Sequence, residues 1–248
     1  MHEILENLLP GARVLDLGAR GGSFDAGYFP HLFVVSADLE AAPASRNPVT
    51  ADAAALPFAS HSFHAVIANH SLEHFERLKP ALQEIGRVVR PDGAVFIAVP
   101  DATTFGDRLY RKLLPGRGGH VNLFGSQAAL IKMLSWYFGM PLAAARPLGN
   151  SFVWLNRRNA GGQRHALPEP VLRIFLAMLR RIDRSFRTRL SLYGWALYFG
   201  RVGETVDTVL RINVCIRCGS ACEPRTFSKG RTYACPVCGA KNITAAEG

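Results

Sequence analysis

Short apolar runs, each closed by a polar residue and a glycine- or proline-bearing connection, punctuate the first hundred residues. Segments 14–17, 33–37, 63–68 and 94–99 are apolar at nearly every position, the pattern of strands buried on both faces. Before and between them, 4–9, 23–28 and 77–89 carry helical spacing and are stopped by Pro10-Gly11, by Pro30 and by the turn Arg90-Pro91-Asp92-Gly93. Strands that alternate with helices in this way predict an α/β fold with a doubly wound, mostly parallel sheet. A further helix is expected over 126–138. Segments 142–147 and 151–156 are expected as closing strands, joined as a hairpin through Gly149-Asn150. A stretch rich in Gly, Pro and polar residues at 159–170 then marks the edge of a first domain, 1–158.

The candidate chemistry sits at the strand ends. Asp16-Leu17-Gly18-Ala19-Arg20-Gly21-Gly22 takes the first strand into a glycine turn, where absent side chains let backbone approach a ligand. Asp16, Asp38 and Asp52 all fall at the carboxyl ends of strands, where parallel α/β sheets collect ligands. Asp38 lies about twenty residues beyond the turn, the distance at which an acid reaches a ribose hydroxyl.

These residues carry a resemblance. Val14-Leu15-Asp16-Leu17-Gly18, Asp38, Ala51-Asp52-Ala53-Ala54-Ala55-Leu56-Pro57-Phe58, Ser62-Phe63 and Ser71-Leu72-Glu73-His74-Phe75 resemble the class I S-adenosylmethionine-dependent methyltransferases. The similarity is greatest to the bacterial group of the ubiquinone and small-molecule type. Ile85 to Gly93 and His120-Val121-Asn122-Leu123-Phe124 are similar to later parts of the same family, so that the likeness covers roughly 4–158. It implies a Rossmann-like fold with S-adenosylmethionine as cofactor. Gly18 and Gly22 would pass beside its methionine half, and Asp16 would meet its ammonium group. Asp38, with Leu39 next to it, would bind the ribose. Asp52 would accept from the adenine amino group, Ala53 would offer its backbone NH, and Asn69 would lie near the transferable methyl. Arg20 stands where the family has its second glycine; its cation either pairs with the cofactor carboxylate or faces outward. His64 replaces the acid that usually opens that strand, a change expected to affect strand pairing rather than chemistry.

Methyl transfer from a sulfonium is an in-line displacement, which asks an enzyme for alignment, exclusion of water and, for a hydroxyl acceptor, a base. His70, Glu73, His74 and His120 are near the right strand ends, with His70 and His120 the candidate catalytic bases.

Charge and cysteine content extend the picture. A net charge of +10 favours anionic partners. Residues 1–9 lack a basic start followed by an apolar run, and no apolar run reaches membrane-spanning length, so a cytoplasmic protein is expected. In 171–185, Val171, Phe175, Met178, Leu179, Ile182 and Phe186 fall on one helical face, with Arg173, Arg180, Arg184 and Arg187 opposite. Such a helix ordinarily docks on a core. The aromatic stretch 190–199 after it suits a lipid interface or a substrate lid, and the two together suit peripheral contact of 171–199 with the inner face of the membrane. Cys215-x2-Cys218 and Cys235-x2-Cys238 have the spacing of a four-thiolate structural Zn2+ site and resemble a zinc ribbon over 212–243; Cys222 is left over. Residues 159–211 form the basic helical segment between the two.

The main expectation is methyl transfer to a small-molecule, lipid-linked or glycan-type acceptor. One rival is an RNA methyltransferase using the ribbon and basic helix to bind nucleic acid. Asn69-His70-Ser71-Leu72 lacks the Pro-Pro-aromatic pattern of base-amino methylation, which counts against it. The other rival is a non-catalytic binding protein that keeps the fold, for which Arg20 is the best support.

Overall fold

The computed structural model describes residues 1–18, 22–24, 26–40, 46–113, 120–149, 169–203, 232–234 and 241–243. Strands β1 (Arg13–Leu17), β2 (Phe33–Asp38), β3 (Pro48–Thr50), β4 (Phe63–Asn69), β5 (Val89–Pro100), β6 (Leu142–Gly149) and β7 (Leu192–Gly200) form one sheet. Their order is β3-β2-β1-β4-β5-β7-β6. Neighbours among β1 to β5 pair in parallel, and β7 runs antiparallel to both β5 and β6. The chain moves outward from β1 to β3 and then returns to β4 on the other side of β1. That reversal opens a crevice at the carboxyl ends of β1 and β4, where doubly wound sheets bind ligands.

Alternation along the strands explains the near-continuous apolar runs. Leu15, Leu17, Val66 and Ala68 face helices α2 (Leu78–Val88) and α4 (Gln127–Phe138), whereas Val14, Ala65 and Ile67 pack with Phe24, Phe29 and residues of α1 (His2–Leu5). In α2, Ala81, Leu82, Ile85 and Val88 supply the buried stripe. Ser126 caps α4 by accepting from the Ala129 NH, and Gly139 ends it at φ +64°.

Several expectations need correction. Where a helix was expected over 23–28, the described residues form only a 3-10 turn, Ala26–Tyr28, because Gly27 and Pro30 leave too little chain to nucleate an α-helix. The turn at Arg90–Gly93 is a bulge inside β5: Phe63 pairs with Val89, but Ala65 pairs with Ala94. His64 accepts a hydrogen bond from the Arg13 NH at 3.0 Å, a strand-edge contact remote from the crevice.

The described partner of β6 is β7, and 151–156, the expected hairpin mate, lies outside the described residues. The aromatic stretch expected at a lipid interface is therefore interior: Trp195, Ala196, Leu197, Tyr198 and Phe199 are buried between β5 and β6. Its continuous apolar character is that of a central strand. The sheet consequently runs past residue 158, the expected domain edge.

Helix α5 (Glu169–Phe186) forms, but its rotation differs from simple docking. Val171, Ile174, Met178 and Phe186 are exposed, while Leu179 and Arg180 are buried. Burial and the neighbouring Arg184 bring Arg180 down to about 10, against the pull of Asp183. Asp183 ends the helix by accepting from the Leu190 and Ser191 amides at 2.6 and 2.7 Å, fixing the entry into β7. Among the described residues no helix is long and apolar enough to cross a membrane.

Candidate functional site

Asp16 is interior to the sheet, opposite Ser36 of β2 and Ile67 of β4, and 1% exposed. Its Oδ2 accepts from the Ser23 NH at 2.8 Å, which ties the far end of the glycine turn back onto β1. Gly18 holds φ +70° while its NH donates to the Ala37 carbonyl at 2.8 Å. A Cβ at Gly18 would stand 2.5 Å from the Ser71 Cβ, so both conformation and space require glycine there. Gly22 also has positive φ, at +92°. Arg20 lies outside the described residues.

The remaining expected cofactor residues line the adjoining strand ends. Asp38 closes β2 opposite Thr50 of β3, and its Oδ1 accepts from the Glu40 NH at 3.1 Å. Leu39 is exposed. Asp52 Oδ1 accepts from the Ala54 NH at 2.8 Å, and its Oδ2 stands 3.6 Å from Arg77 Nη1. Both partners of that ion pair are substantially solvated, which makes it a weak one. Ala53 is buried beside it, and Asn69 ends β4 opposite Ala98. The crevice thus has a glycine cradle and carboxylates on neighbouring strands, hydrogen-bond acceptors suited to an ammonium group and a diol.

Beyond Asn69 the chain builds a histidine–carboxylate cluster. His70 adopts φ +54°, a left-handed conformation uncommon for a non-glycine residue and frequent at functional sites. Its ring is 5.2 Å from that of Tyr193, and its Nδ1 is 3.6 Å from Glu73 Oε1. Glu73 belongs to the 3-10 turn Leu72–His74 and is 1% exposed. Its carbonyl accepts from the Val121 and Asn122 amides, and Asn122 Nδ2 donates to the carbonyls of Leu72 and Phe75. Those bonds stitch the 120–124 loop onto the turn.

His120 is brought in by this stitching. Its ring stacks on Tyr110 at 5.4 Å, meets His74 edge-on at 5.4 Å and places Nδ1 3.0 Å from Asp107 Oδ1. Asp107 belongs to α3 (Phe105–Leu113) and also pairs with Arg111 Nε at 2.7 Å. Burial alone would raise its carboxyl, but His120 and Arg111 outweigh burial and hold it below the usual range. Burial raises the Tyr193 and Tyr110 phenols, and the charges of Glu73 and Asp107 add to that, so both remain hydroxyl donors at neutral pH.

Both histidines singled out from the sequence therefore reach one cluster, together with Glu73 and His74. Asp107 and Tyr110 were not among the expected site residues, and Tyr193 was expected only as part of the aromatic stretch 190–199. Asp107 with Arg111 has the i,i+4 spacing of an ordinary solvated helix pair, and its His120 contact is not local. Cys215, Cys218, Cys235 and Cys238 lie outside the described residues. Two short strands, β8 (Thr232–Ala234) and β9 (Lys241–Ile243), pair antiparallel on either side of the second cysteine pair in sequence.

Residues 15–97 match the sequence family described as a methyltransferase domain. A demethylmenaquinone methyltransferase of Renibacterium salmoninarum is 36% identical over 107 residues, covering 40% of this chain and 45% of that protein. A malonyl-[acyl-carrier protein] O-methyltransferase of Methylococcus capsulatus is 32% identical over 152 residues, 52% of this chain and 55% of that protein. The chain thus spans about half the length of the curated relatives it matches. Among solved structures, a SAM-dependent methyltransferase from Archaeoglobus fulgidus superposes with a TM-score of 0.53 at 18% identity, over 77% of this chain and 86% of that one. The YcgJ protein of Bacillus subtilis gives 0.52 at 20% identity, over 82% of this chain and all of that one. Likeness at such identity shows the fold.

Proposed function

We propose that this chain, which carries a class I methyltransferase domain, transfers a methyl group from S-adenosylmethionine to a small-molecule, lipid-linked or glycan-type acceptor. The observation that carries the reading is convergence. The glycine cradle at Gly18 and the carboxylates of Asp16 and Asp38 open onto the β1–β4 crevice, and the His70 cluster begins one residue past the end of β4.

When bound, the cofactor supplies an electrophilic methyl on a sulfonium. Asp16 would meet its ammonium group, Asp38 and Leu39 its ribose, and Asp52 and Ala53 its adenine. Gly18 and Gly22 would keep the turn clear for it, Asn69 would lie near the methyl, and Arg20 is a further candidate through the cofactor carboxylate. His70 is the better placed of the two candidate bases, because it follows Asn69 directly and Glu73 faces its ring. Taking the proton of an acceptor hydroxyl, it would leave an oxygen nucleophile in a site that Tyr193 helps to close. His120, hemmed in by Tyr110, His74 and Asp107, is less free to meet a substrate.

Transfer of labelled methyl from S-adenosylmethionine to demethylmenaquinone and to malonyl-acyl carrier protein tests the acceptor class, because relatives are named for those two. His70→Ala is expected to lower turnover by about 10² to 10⁴, the usual worth of a general base, with cofactor affinity unchanged. Unchanged turnover would remove His70 from the mechanism. Asp38→Ala is expected to weaken cofactor binding by about 10- to 100-fold, the loss of a charge-assisted hydrogen bond; calorimetry reads it directly.

The four cysteines are proposed to hold a structural Zn2+, supported by their spacing and by the β8–β9 pairing around the second pair. One thiolate-bound zinc per chain, released by a mercurial reagent, is the expected result. Its absence would dismiss the ribbon.

A further inference from the structure

We propose that Glu73, His74 and His120 form a site for a divalent transition-metal ion, with Asp107 orienting His120. One ligand atom from each of the three lies within 4.8 Å of the other two. Around a single ion with bonds near 2.1 Å, ligand atoms stand about 3.4 Å apart, so loading asks only a small closure, which the exposed His74 can supply.

Three independent features make this more than proximity. Glu73 is almost wholly buried; its Oε1 faces His70, while its Oε2 is buried without a hydrogen-bond partner. An unsatisfied buried carboxylate oxygen costs several times what an ordinary hydrogen bond contributes, and a bound cation removes that cost. Next, His120 Nδ1 lies 3.0 Å from Asp107 Oδ1, which leaves Nε2 as the atom to ligate. With an ion on Nε2, a small ring rotation would complete the carboxylate–histidine–metal arrangement that fixes tautomer and ring orientation in metal sites, and Arg111 holds the carboxylate in turn. Finally, the elements are braced against each other: the Glu73 carbonyl accepts from the Val121 and Asn122 amides at 2.8 and 3.0 Å. Ligands on such supports keep their separation.

Two imidazoles and one carboxylate select borderline ions such as Zn2+, Fe2+ or Co2+ over Mg2+ or Ca2+. Three protein ligands leave coordination positions open, and His74 is on the solvent side. An ion there would polarise an acceptor hydroxyl beside His70 and lower its pKa. That use rests on the methyl-transfer reading; the binding of metal does not.

The test is calorimetric and spectroscopic titration with Co2+ of the full chain carrying a single equivalent of Zn2+. Four thiolates take that one zinc ahead of a set of two imidazoles and a carboxylate, which leaves the second site open. About one further equivalent of Co2+ is expected, with visible bands of nitrogen and oxygen ligation and no thiolate charge transfer. Glu73→Gln and the exposed variant His74→Ala should each weaken uptake at least tenfold, and Asp107→Asn by about 10- to 100-fold. His61→Ala, on an exposed histidine before β4, should leave it unchanged. Uptake that is absent in the wild type, equal in all variants, or of thiolate type would overturn the site. S-adenosylmethionine binding measured in parallel should survive His74→Ala, so failure of the metal site and failure of the methyltransferase reading are separable.

Discussion

Gly18→Ala is expected to abolish measurable S-adenosylmethionine binding, a loss of at least about 100-fold, and to lower stability as well. A left-handed conformation costs an alanine about 1–2 kcal/mol. Overpacking adds about 1–3 kcal/mol, because the new Cβ would lie 2.5 Å from the Ser71 Cβ and the Phe75 ring edge is 3.2 Å away. Ser71 opens the turn that carries Glu73, so relief of the clash moves the crevice wall and the histidine cluster together. Calorimetry on protein verified as folded by circular dichroism separates the effects. Wild-type affinity in Gly18→Ala would mean that ligand does not pass this turn.

The largest effect on stability is expected from Arg146→Met. Arg146 of β6 is 1% exposed; its guanidinium donates to Glu3 Oε1 at 2.9 Å and to the Tyr198 hydroxyl at 2.5 Å. Removing one partner of a buried ion pair costs about 3–5 kcal/mol, mostly through the charge left behind. The Met1 ammonium also pairs with Glu3 at 2.8 Å, which places the expected loss near the lower end. Urea unfolding checks it, and a midpoint like that of the wild type would contradict it. The same network sets an acid limit. Burial alone would raise the Glu3 carboxyl, but the Met1 ammonium and Arg146 prevail and hold it far below its ordinary value of 4.5. A depressed folded-state value means that the contribution is complete above pH 4.5 and is lost as pH falls below it. Glu3→Gln should therefore flatten the decline of melting temperature on that side.

What was legible in the sequence was local. β1, β2 and β4 announce themselves as apolar runs ending at Leu17, Asp38 and Asn69, since a parallel sheet covered on both faces leaves no polar alternation to confuse the pattern. The pairing of β6 with β7 was not legible. It joins segments more than forty residues apart, and a hairpin through Gly149-Asn150 satisfies local turn chemistry equally well. The burial of Trp195 to Phe199 followed from that same non-local choice. In α5 the periodicity gave the helix but not which side meets the protein, so Arg180 is interior and Met178 is not. At the site, His70 and His120 were recognisable by residue type. Asp107 was hidden, because its role depends on a fold that returns His120 to α3.

Equilibrium binding of S-adenosylmethionine to the purified chain decides whether the β1–β4 crevice holds that molecule. One molecule per chain is predicted, with micromolar affinity as the order of magnitude and at least about tenfold weakening in Asp38→Ala. A folded chain that takes up no S-adenosylmethionine, or binds it equally well without Asp38, would contradict it.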